Sequence, residues 1–581
     1  MDDRHIHDLV LIHAPSVFDF REREQFRAPT AQVIPSTEEF EMYPMGMTSI
    51  ASYLVRNNYR VRIVNLARRM VGEPGFDAVR YLRRLDARVF GIDLHWLPHA
   101  HGALAVARLV KRLHPRARVL IGGLSASYFH DELMREPAID FVIAGDSTEE
   151  PCRQLLQALR EHRPLASVAN LSWKRDDGHV VHNGLSYVPT DLDAFDIPAY
   201  GHMLRSVAMH GRLADALPYE GWLQQPLTVL LNGRGCVLDC AICGGSRSAY
   251  RQVCARQRPA FRSPERLIED VRVIRSFSRS PIFVIHDPRM GGRARMRRFF
   301  ELLERERVPN EMVFELFSAA REDLFELISK SLRRWSLQVT IETQEERLRA
   351  KNGKFGCTNG EVEETIATAF AHGCHTLDLF FMVGIPGQTH ASALGIGDYC
   401  EYLMERFGAG GRLRPFVAPL APFLDPGSRA FEDPEIGYRV HRRTLADHEE
   451  ALLAPDWGSV LTFETDAMTR DELVDATYAV TARINDLNLR YGLTTPSDHD
   501  AVVRGLRAAR RNVATHSGRR ADRTWLVAKD EMSWSGPKGI RPSRALAWMI
   551  LGGLKDEAVR AASRAIGRYD VAIAAGDTRA D

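Results

Sequence analysis

Three cysteines stand close together near the middle of the chain, within the segment NGRGCVLDCAICGGS. Cys236, Cys240 and Cys243 follow the spacing C-x-x-x-C-x-x-C, and Gly244 and Gly245 come directly after them. A zinc site commonly takes four ligands from two separated pairs, and the other five of the eight cysteines form no second C-x-x-C pair. A thioredoxin-like redox pair would leave Cys236 without a role. Three thiolates on one short loop instead suit a 4Fe–4S cluster whose fourth iron is open to another ligand.

The composition limits the class of protein that carries this loop. The chain has 581 residues, of which 45% are hydrophobic and 26% charged, with a net charge of +2. These values indicate a soluble globular protein of several domains, and the small net charge argues against a basic nucleic-acid-binding face. In the start MDDRHIHDLVLIHAPS, acidic residues precede a very short apolar run, whereas a signal peptide needs a basic start and a longer apolar core. The apolar run ALAWMILGGL is shorter than the roughly 20 residues that span a bilayer. We therefore expect a cytoplasmic protein without a membrane or nucleic-acid partner.

Residues 8–160 alternate between short apolar runs and amphipathic stretches. The runs DLVLIHAP, YRVRIVNL, ARVFGIDLH, ARVLIGG and DFVIAGD predict five buried parallel strands, with helical spacing between them. This alternation predicts an α/β, doubly wound, Rossmann-like sheet. The sequence has no G-x-G-x-x-G fingerprint after the first run and no P-loop, so we do not expect a nucleotide site there.

Ligands of doubly wound sheets bind beyond the carboxyl ends of the strands, so the loops after the five strands are the candidate binding residues. These residues are His13, Ala14, Pro15, Ser16, Asn65, Leu66, Arg68, Arg69, Leu94, His95, Gly122, Gly123, Leu124, Ser125, Gly145, Asp146 and Ser147. Glycines in these loops would let the backbone approach a bulky ligand.

The stretch DLHWLP, from Asp93 to Pro98, resembles the D-x-H-x-x-G box through which some cobalamin proteins bind cobalt. In this chain the box would make His95 the lower axial ligand. However, the stretch follows the third predicted strand rather than the first, and Pro98 replaces the glycine. A loop histidine at the sheet edge is therefore the favoured interpretation.

The cysteine triplet with its flanking glycines is the signature of the radical S-adenosylmethionine enzymes, and this sequence resembles that superfamily. The resemblance implies that S-adenosylmethionine chelates the open iron and is cleaved to a 5′-deoxyadenosyl radical. It also implies a partial (β/α)6 TIM-type barrel, into which later apolar runs fit.

Within the barrel, the resemblance gives candidate roles to residues near the predicted strand ends. His286 and Asp287 follow PIFVI, where the family often has Gly-Gly-Glu, and they are candidate catalytic residues. Glu342, in SLQVTIETQ, resembles the acid of the I-G-I-E-S segment and is a candidate for binding S-adenosylmethionine or for catalysis. Ser318 is a candidate for the ribose. The turn GIPGQT resembles G-L-P-G-E-T, and it keeps Gly384, Pro386 and Gly387 with Gln388 in place of Glu.

The two halves together resemble the cobalamin-binding radical S-adenosylmethionine enzymes. The stretches TEEFEMYPMGMTSIASYLVRNNYRVRIVNL and IGGLSASYFHDELMREPAIDFVIAGDSTEEP carry this resemblance in the first half. It implies cobalamin bound without a histidine beneath the cobalt, with the lower face screened by a side chain from Leu66 to Arg69. It also implies C-methyl transfer from S-adenosylmethionine, by way of methylcobalamin, to an unactivated carbon of a small molecule. An external electron donor such as flavodoxin or ferredoxin is implied as well.

Alternatives of other kinds stay open at this point. The same family contains cyclases and rearrangement enzymes that transfer no net methyl group, and a cobalamin-binding sensor or accessory protein belongs to another class. The cysteine triplet disfavours the sensor, because a sensor needs no cluster. The chain also resembles, more loosely, C-methyltransferases of antibiotic biosynthesis, including those that act on a pyrrole, so an aromatic acceptor carbon is an expectation.

We predict four regions along the chain: residues 1–165 as the cobalamin-binding domain, 166–222 as a linker with a hairpin, 223–430 as the barrel, and 431–581 as a helical C-terminal domain. The last region loses strand alternation and has helical spacing in YRVHRRTLADHEEALL, TRDELVDATYAVTARINDLNLRYG and KDEAVRAASRAIGRYD. We expect this domain to cover the barrel and to shape substrate choice, with a purely stabilising role as the alternative.

Overall fold

Two large parallel sheets, joined by a connecting region and followed by helices, make up the structure. The computed structural model describes residues 6–22 and 42–514, apart from residues 74, 199, 211–212, 220–221, 223–227, 355, 420–422 and 455–456. The predicted helix in KDEAVRAASRAIGRYD and the apolar run ALAWMILGGL lie outside the described residues.

The first sheet has seven strands in the order β2-β1-β3-β4-β5-β6-β7. Its strands are β1 (His7–His13), β2 (Val61–Asn65), β3 (Ala87–Asp93), β4 (Arg118–Gly122), β5 (Phe141–Ile143), β6 (Leu171–Lys174) and β7 (Val180–His182). The first five are parallel, as the apolar runs predict, and β6 and β7 add an antiparallel hairpin to β5. The hairpin, which we expected within a linker, thus continues the first sheet.

Helices cover both faces of this sheet. They are α1 (Met45–Arg56), α2 (Leu66–Gly72), α3 (Ala78–Arg83), α4 (Ala100–Leu113), α5 (Leu124–Tyr128), α6 (His130–Arg135) and α7 (Glu149–Glu161). On β1, Val10 and Ile12 join the hydrophobic core that contains α4, while Leu9 and Leu11 join the core that contains α1 and α7. Burial on both faces explains why the strands are continuous apolar runs rather than alternating ones.

The second sheet is a six-stranded parallel sheet in the order β15-β14-β13-β12-β11-β8. After α8 (Gly201–His210) its strands are β8 (Thr228–Leu231), β11 (Ile282–Ile285), β12 (Met312–Leu316), β13 (Trp335–Glu342), β14 (Leu377–Val383) and β15 (Leu413–Pro419). Among the described residues its edge strands β8 and β15 do not pair with each other, so the barrel is partial.

Helices alternate with the strands of the barrel, as parallel crossovers require. They are α9 (Arg247–Cys254), α10 (Pro264–Phe277), α11 (Arg293–Glu306), α12 (Glu322–Ser331), α13 (Glu346–Lys351), α14 (Asn359–Ala371) and α15 (His390–Phe407). A short antiparallel pair, β9 (Gly233–Arg234) and β10 (Ala260–Phe261), flanks the cysteine loop.

The C-terminal region is mainly helical and packs on the barrel. It contains α16 (Arg429–Glu432), α17 (Leu445–Ala451), α18 (Trp457–Val460), α19 (Arg470–Arg490) and α20 (Pro496–Ala514), with the antiparallel pair β16 (Tyr438–Val440) and β17 (Phe463–Thr465). Thr469 caps α19 through a reciprocal capping box with Glu472. Leu473, Tyr478 and Ile484 of α19 belong to the barrel's own hydrophobic core, so this helix stabilises the barrel.

The predicted fold class is confirmed: a doubly wound domain, a partial barrel and a helical C-terminal region follow one another. Among the described residues, no helix is both long enough and apolar enough to span a membrane. The region boundaries remain a prediction.

Candidate active site between the two sheets

The loop of three cysteines begins where β9 ends and finishes at α9. Gly235 has a φ of +85°, and a Cβ there would lie 3.1 Å from the Cα of Pro259, so only glycine fits this turn. The backbone N–H of Leu238 donates to Cys236 Sγ over 3.4 Å, and that of Gly245 donates to Cys243 Sγ over 3.3 Å. The loop therefore aims backbone N–H groups at its sulfur atoms, an arrangement that stabilises negative charge on them.

The three thiols lie close enough to influence one another. Burial, together with the neighbouring Glu342 and Cys236, raises the pKa of Cys240 to about 12. Burial also raises the pKa of Cys243, as do the neighbouring Asp425, Cys240 and Cys236. None of the eight cysteines forms a disulfide. One buried and two half-buried thiols on one loop, with N–H donors to sulfur, fit three ligands of a 4Fe–4S cluster.

A buried carboxylate and a buried lysine lie beside this loop. Glu342 ends β13 at a register shift, and its φ of +70° turns its side chain away from the ordinary strand direction. Its carboxylate accepts from Asn352 Nδ2 over 2.6 Å and pairs with Lys354 Nζ over 3.1 Å. The backbone oxygen of Asn352 also accepts from Ala241 N–H over 2.7 Å. The predicted residue Glu342 is thus tied to the cysteine loop.

Lys354 and Asn352 were missed by sequence reasoning, although both lie in the stretch KNGK that follows the Glu342 segment. Burial raises the pKa of Cys236 and Cys240, and the positive charge of Lys354 opposes this rise, as expected for a cation near those thiols. Its side chain is only 7% exposed. Lys354 and Glu342 thus provide one cation and one anion beside the cysteine loop, which fits residues that would hold the carboxylate and amino groups of S-adenosylmethionine.

Asp287 and Ser318, two further predicted residues, are both held by Arg289. Arg289 Nη2 pairs with Asp287 Oδ2 over 2.5 Å and also donates to Ser318 Oγ over 3.1 Å. Asp287 additionally accepts from the backbone N–H of Phe317 over 3.2 Å. These contacts make Asp287 a bridge between the ends of β11 and β12.

His286 stands at the end of β11 in a left-handed backbone conformation, with a φ of +73°. Burial lowers the pKa of His286 to about 4, so its ring is neutral at pH 7. Its Nδ1 atom is buried and has no hydrogen-bond partner among the described residues. Such a conformation at a strand end is typical of functional positions rather than of ordinary turns.

Glu315, on β12, is a residue that the sequence did not single out. Its carboxylate accepts from the backbone N–H of His286 over 3.1 Å. Burial raises the pKa of Glu315 to about 7, although that N–H and Lys354 oppose the rise. Burial is a tertiary property, so no local motif could have identified this carboxyl group.

The turn GIPGQT keeps a fixed shape through Gln388. Gln388 Oε1 accepts from Gly384 N–H over 2.8 Å, and Tyr438 Oη donates to Gly384 O over 2.7 Å. Gly384 has a φ of +101°. Gln388 also donates to Met382 O, which a glutamate could not do, so the amide is suited to this position. Pro386 lies within the turn.

In the first sheet, the loops after β1 and β3 meet at Asp93. His13 Nδ1 lies 3.0 Å from the Asp93 carboxylate, and His95 Nδ1 lies 2.9 Å from it. Burial favours protonated Asp93, but the two imidazoles outweigh it and lower the pKa of this carboxyl group. His13 is fully buried, and its Nε2 has no hydrogen-bond partner among the described residues. His13 Nε2 lies at the carboxyl end of the sheet, where it is suited to bind a polar group of a ligand.

Gly123 explains how the loop after β4 approaches this pair of histidines. A Cβ on Gly123 would lie 2.5 Å from the backbone of His95, and its φ is +123°. Leu94 N–H donates to Gly122 O over 2.7 Å. The candidate residues that follow β1, β3 and β4 therefore lie at one end of the sheet: Ala14, Pro15 and Ser16 follow β1, and Leu124 and Ser125 begin α5 after β4.

The loop after β2 has its polar groups engaged elsewhere. Asn65 Oδ1 accepts from Arg68 N–H, while Asn65 Nδ2 donates to Pro218 O over 2.6 Å. Arg69 Nη1 binds Asp215 Oδ1 over 2.5 Å, and Leu66 is fully buried. The structure thus uses these side chains to hold the connecting region, and their contact with cobalamin remains a prediction.

Residues that follow β5 connect the two sheets. Arg234 Nη2 pairs with Glu149 Oε1 over 2.6 Å, and Arg234 Nη1 donates to Ser147 Oγ over 2.8 Å. Arg256 Nη2 donates to Asp146 Oδ1 over 2.9 Å. Burial opposes ionisation of Glu149, but Arg234 outweighs it and lowers the pKa of this carboxyl group. Arg234 and Arg256, on either side of the cysteine loop, are therefore bound by Glu149 and Asp146, which follow β5.

Asp425 forms a second connection between the sheets. One carboxylate oxygen accepts from Trp96 Nε1 over 3.0 Å, and the other accepts from Gly244 N–H over 3.0 Å. A Cβ on Gly244 would lie 2.6 Å from Asp425 Cβ, so glycine is required there. Trp96 belongs to the loop after β3, and Gly244 follows Cys243. The carboxyl end of the first sheet is therefore joined to the cysteine loop through Asp425.

We predict that Arg234→Ala destabilises the connection between the sheets. The substitution leaves the Glu149 carboxylate buried without a cation, which costs about 3–5 kcal/mol. The pKa of Glu149 is lower in the folded protein than in the unfolded chain, so the pair stabilises the fold fully above the usual glutamate pKa. This stabilisation is lost as the pH falls through the lowered pKa of the folded protein. The apparent unfolding temperature should therefore fall at pH 7, and the difference from the natural protein should shrink in acid.

Arg251→Ala is the matched control, because Arg251 is exposed on α9. It should leave the unfolding temperature unchanged. Equal unfolding temperatures for Arg234→Ala and the natural protein at pH 7 would show that this pair does not stabilise the connection.

Comparisons with known proteins agree with both halves of the site. Residues 32–155 match the B12 binding domain family, and residues 232–399 match the Radical SAM superfamily. The chain is 24% identical over 355 residues to an uncharacterized methyltransferase, PH0819, of Pyrococcus horikoshii, covering 60% of this chain and 70% of that protein. It is 24% identical over 236 residues to the cytidylyl-2-hydroxyethylphosphonate methyltransferase of Streptomyces wedmorensis, covering 35% and 43%.

Two solved structures share the fold over nearly the whole chain. The radical S-adenosylmethionine methyltransferase TsrM from Kitasatospora setae, bound to tryptophan and an S-adenosylmethionine analogue, covers 95% of this chain and 100% of its own, with 13% identity and a TM-score of 0.59. OxsB, with aqua-cobalamin and S-adenosylmethionine bound, covers 97% and 81%, with 12% identity and a TM-score of 0.54. With both domain families matched in this order, the chain belongs to the cobalamin-binding radical S-adenosylmethionine enzymes, whose cofactors are cobalamin, a 4Fe–4S cluster and S-adenosylmethionine.

Proposed function

We propose that this enzyme transfers a methyl group from S-adenosylmethionine, by way of cobalamin, to an unactivated carbon of a small molecule. The observation that supports this most strongly is Asp425, which joins the loop after β3 to the cysteine loop through Trp96 and Gly244. A reaction that uses two cofactors on one substrate needs both sites at a shared cavity. A cobalamin-binding sensor would have no use for a cluster loop at that position.

The residues of this chain provide binding, orientation and exclusion of water. When bound, cobalamin supplies the methyl group, and the cluster with S-adenosylmethionine supplies the radical that activates the acceptor. Cys236, Cys240 and Cys243 hold three irons. Lys354 and Glu342, which lie beside these thiols, bind the charged groups of S-adenosylmethionine. A one-electron donor of the flavodoxin or ferredoxin type reduces the cluster.

An aromatic carbon, such as a pyrrole carbon, is the first acceptor class to test, and its chemistry needs a base. When the methyl group adds to a ring carbon that still carries its hydrogen, that carbon must then lose a proton to restore aromaticity. Among the predicted bases, Asp287 and Glu342 each already bind a cation, and His286 has a pKa of about 4. Glu315, with a pKa of about 7, is therefore the base that we assign.

The cluster ligands are tested by replacing Cys236, Cys240 and Cys243 together by Ala. Bound iron and the brown charge-transfer absorbance should both be lost, because these thiols are the ligands. Cys152→Ala and Cys400→Ala serve as controls, since both residues are buried elsewhere in the fold, and both variants should keep their iron. A triple variant that retained about four irons would rule out this cluster site.

Methyl transfer is tested by the products of the anaerobically reconstituted enzyme with aromatic heterocycles and with substrates that offer an aliphatic carbon. Each substrate that gains one CH₂ should yield one S-adenosylhomocysteine, because one S-adenosylmethionine provides the methyl group. An aliphatic carbon, whose hydrogen goes to the radical, should also yield one 5′-deoxyadenosine, whereas an aromatic carbon that loses its hydrogen as a proton to Glu315 should yield none. An aliphatic carbon methylated without 5′-deoxyadenosine would refute the radical step and leave methyl transfer intact. Both adenosyl products without a mass gain would refute methyl transfer and indicate a cyclase or rearrangement enzyme.

The role of Glu315 is tested by the pH dependence of turnover with the acceptor so identified. A base acts only when deprotonated, so kcat should rise as the pH passes through about 7, the pKa of Glu315. Glu315→Gln should remove this rise and lower kcat by about 10²-fold or more. Glu326→Gln, an exposed change on α12, should keep both. A Glu315→Gln variant that retained the rise near pH 7 would exclude this carboxylate as the base.

A further inference from the structure

A second group of metal-binding side chains lies at the outer edge of the first sheet. His130 begins α6, Asp131 follows it, and His182 ends the edge strand β7. One ligand atom from each residue lies within 4.8 Å of the other two. Residues 130 and 182 come from separate elements, so the fold itself assembles this group.

The spacing of these atoms suits a small divalent ion. Asp131 Oδ1 lies 3.0 Å from His182 Nε2 and 3.5 Å from His130 Nδ1. Ligands of a tetrahedral zinc ion, with bonds of about 2.0–2.1 Å, lie about 3.3 Å from one another. The two distances lie on either side of that value, so an ion could bridge the three residues with only small side-chain movements.

Ser172 contacts His182, a member of this group, from the interior side. Its side chain is almost fully buried on β6, and its Oγ lies 2.8 Å from His182 Nδ1. If His182 donates its Nδ1 proton to this hydroxyl group, the lone pair of Nε2 faces Asp131. Histidines that bind metals usually donate their second ring nitrogen to such a partner, which fixes the ring orientation.

The exposure of the residues also suits metal binding. The side chains of His130, Asp131 and His182 are 34%, 65% and 38% exposed, which leaves room for an ion to enter and for water as a fourth ligand. Two imidazoles and one carboxylate favour zinc-like transition metals over Mg²⁺ or Ca²⁺.

We propose that His130, Asp131 and His182 bind a divalent transition metal of the zinc type at a site separate from the iron–sulfur cluster. The ion connects the start of α6 to the β6–β7 hairpin and so fixes the edge of the cobalamin-binding sheet. This proposal does not depend on the proposed methyl transfer.

The proposal is tested with Zn²⁺ and the holoenzyme, in which the cluster already occupies the three clustered thiols. Isothermal titration and metal analysis after desalting should give one Zn²⁺ per chain, and Zn²⁺ should raise the unfolding temperature. His182→Ala and Asp131→Asn should each weaken binding at least 10-fold and remove the thermal shift. Ser172→Ala should weaken binding about 10-fold or more through loss of ring orientation.

His179→Ala is the matched control, because His179 is exposed on the same hairpin and outside the group. It should bind Zn²⁺ like the natural protein. Cobalamin content and the metal-free unfolding temperature of each variant show whether it is folded, and Asp131→Asn provides the test if His182→Ala fails to fold. Equal Zn²⁺ binding by the natural protein and Asp131→Asn, or no binding by the natural protein at micromolar Zn²⁺, would overturn the proposal.

Discussion

The buried ion pair between Arg234 and Glu149 is the interaction on which the relation between the two sheets depends. Arg234 lies two residues before the first cluster cysteine, and Glu149 begins the helix that follows β5. Removing either partner would lower the free energy of unfolding strongly, because both side chains are buried and the remaining charge would have no partner. The parallel pair of Arg256 and Asp146 adds a second contact of the same kind. The two domains are thus held in a fixed relative position, as two cofactors that act on one substrate require.

Within this frame, the chain mainly supplies position, since the cofactors carry the difficult chemistry. Asp425 fixes the cysteine loop against the loop after β3, and Gly244 is required by that contact. Glu342 and His286 are both held in left-handed backbone conformations at strand ends. Such conformations persist only where the surrounding structure enforces them, and here they surround the proposed reaction cavity. Two carboxyl groups at these strand ends differ in their surroundings: Glu342 is paired with Lys354, whereas burial raises the pKa of Glu315 to about 7.

Local features of this chain could be predicted from sequence, and features that depend on distant residues could not. The cysteine spacing and the five apolar runs of the first sheet are local, and both gave correct predictions. The loop residues Asp146 and Ser147 were predicted to bind cofactor, and that contact remains a prediction; in the fold they bind Arg256 and Arg234. These pairs, like the Trp96–Asp425 contact, join residues far apart in the chain, so no spacing rule shows them. The pKa of Glu315 depends on burial by several elements, which only the fold reveals.

The central claim is that the cobalamin and the cluster share one cavity because Asp425, Arg234 and Glu149 dock their loops. Pulsed electron paramagnetic resonance on enzyme that holds both cob(II)alamin and the reduced cluster measures the magnetic coupling between the two spins. The account predicts a resolved coupling with a narrow distance distribution, which broadens in Asp425→Asn while the iron and cobalt contents stay unchanged. No measurable coupling in the natural enzyme, with both cofactors bound, would contradict the shared cavity.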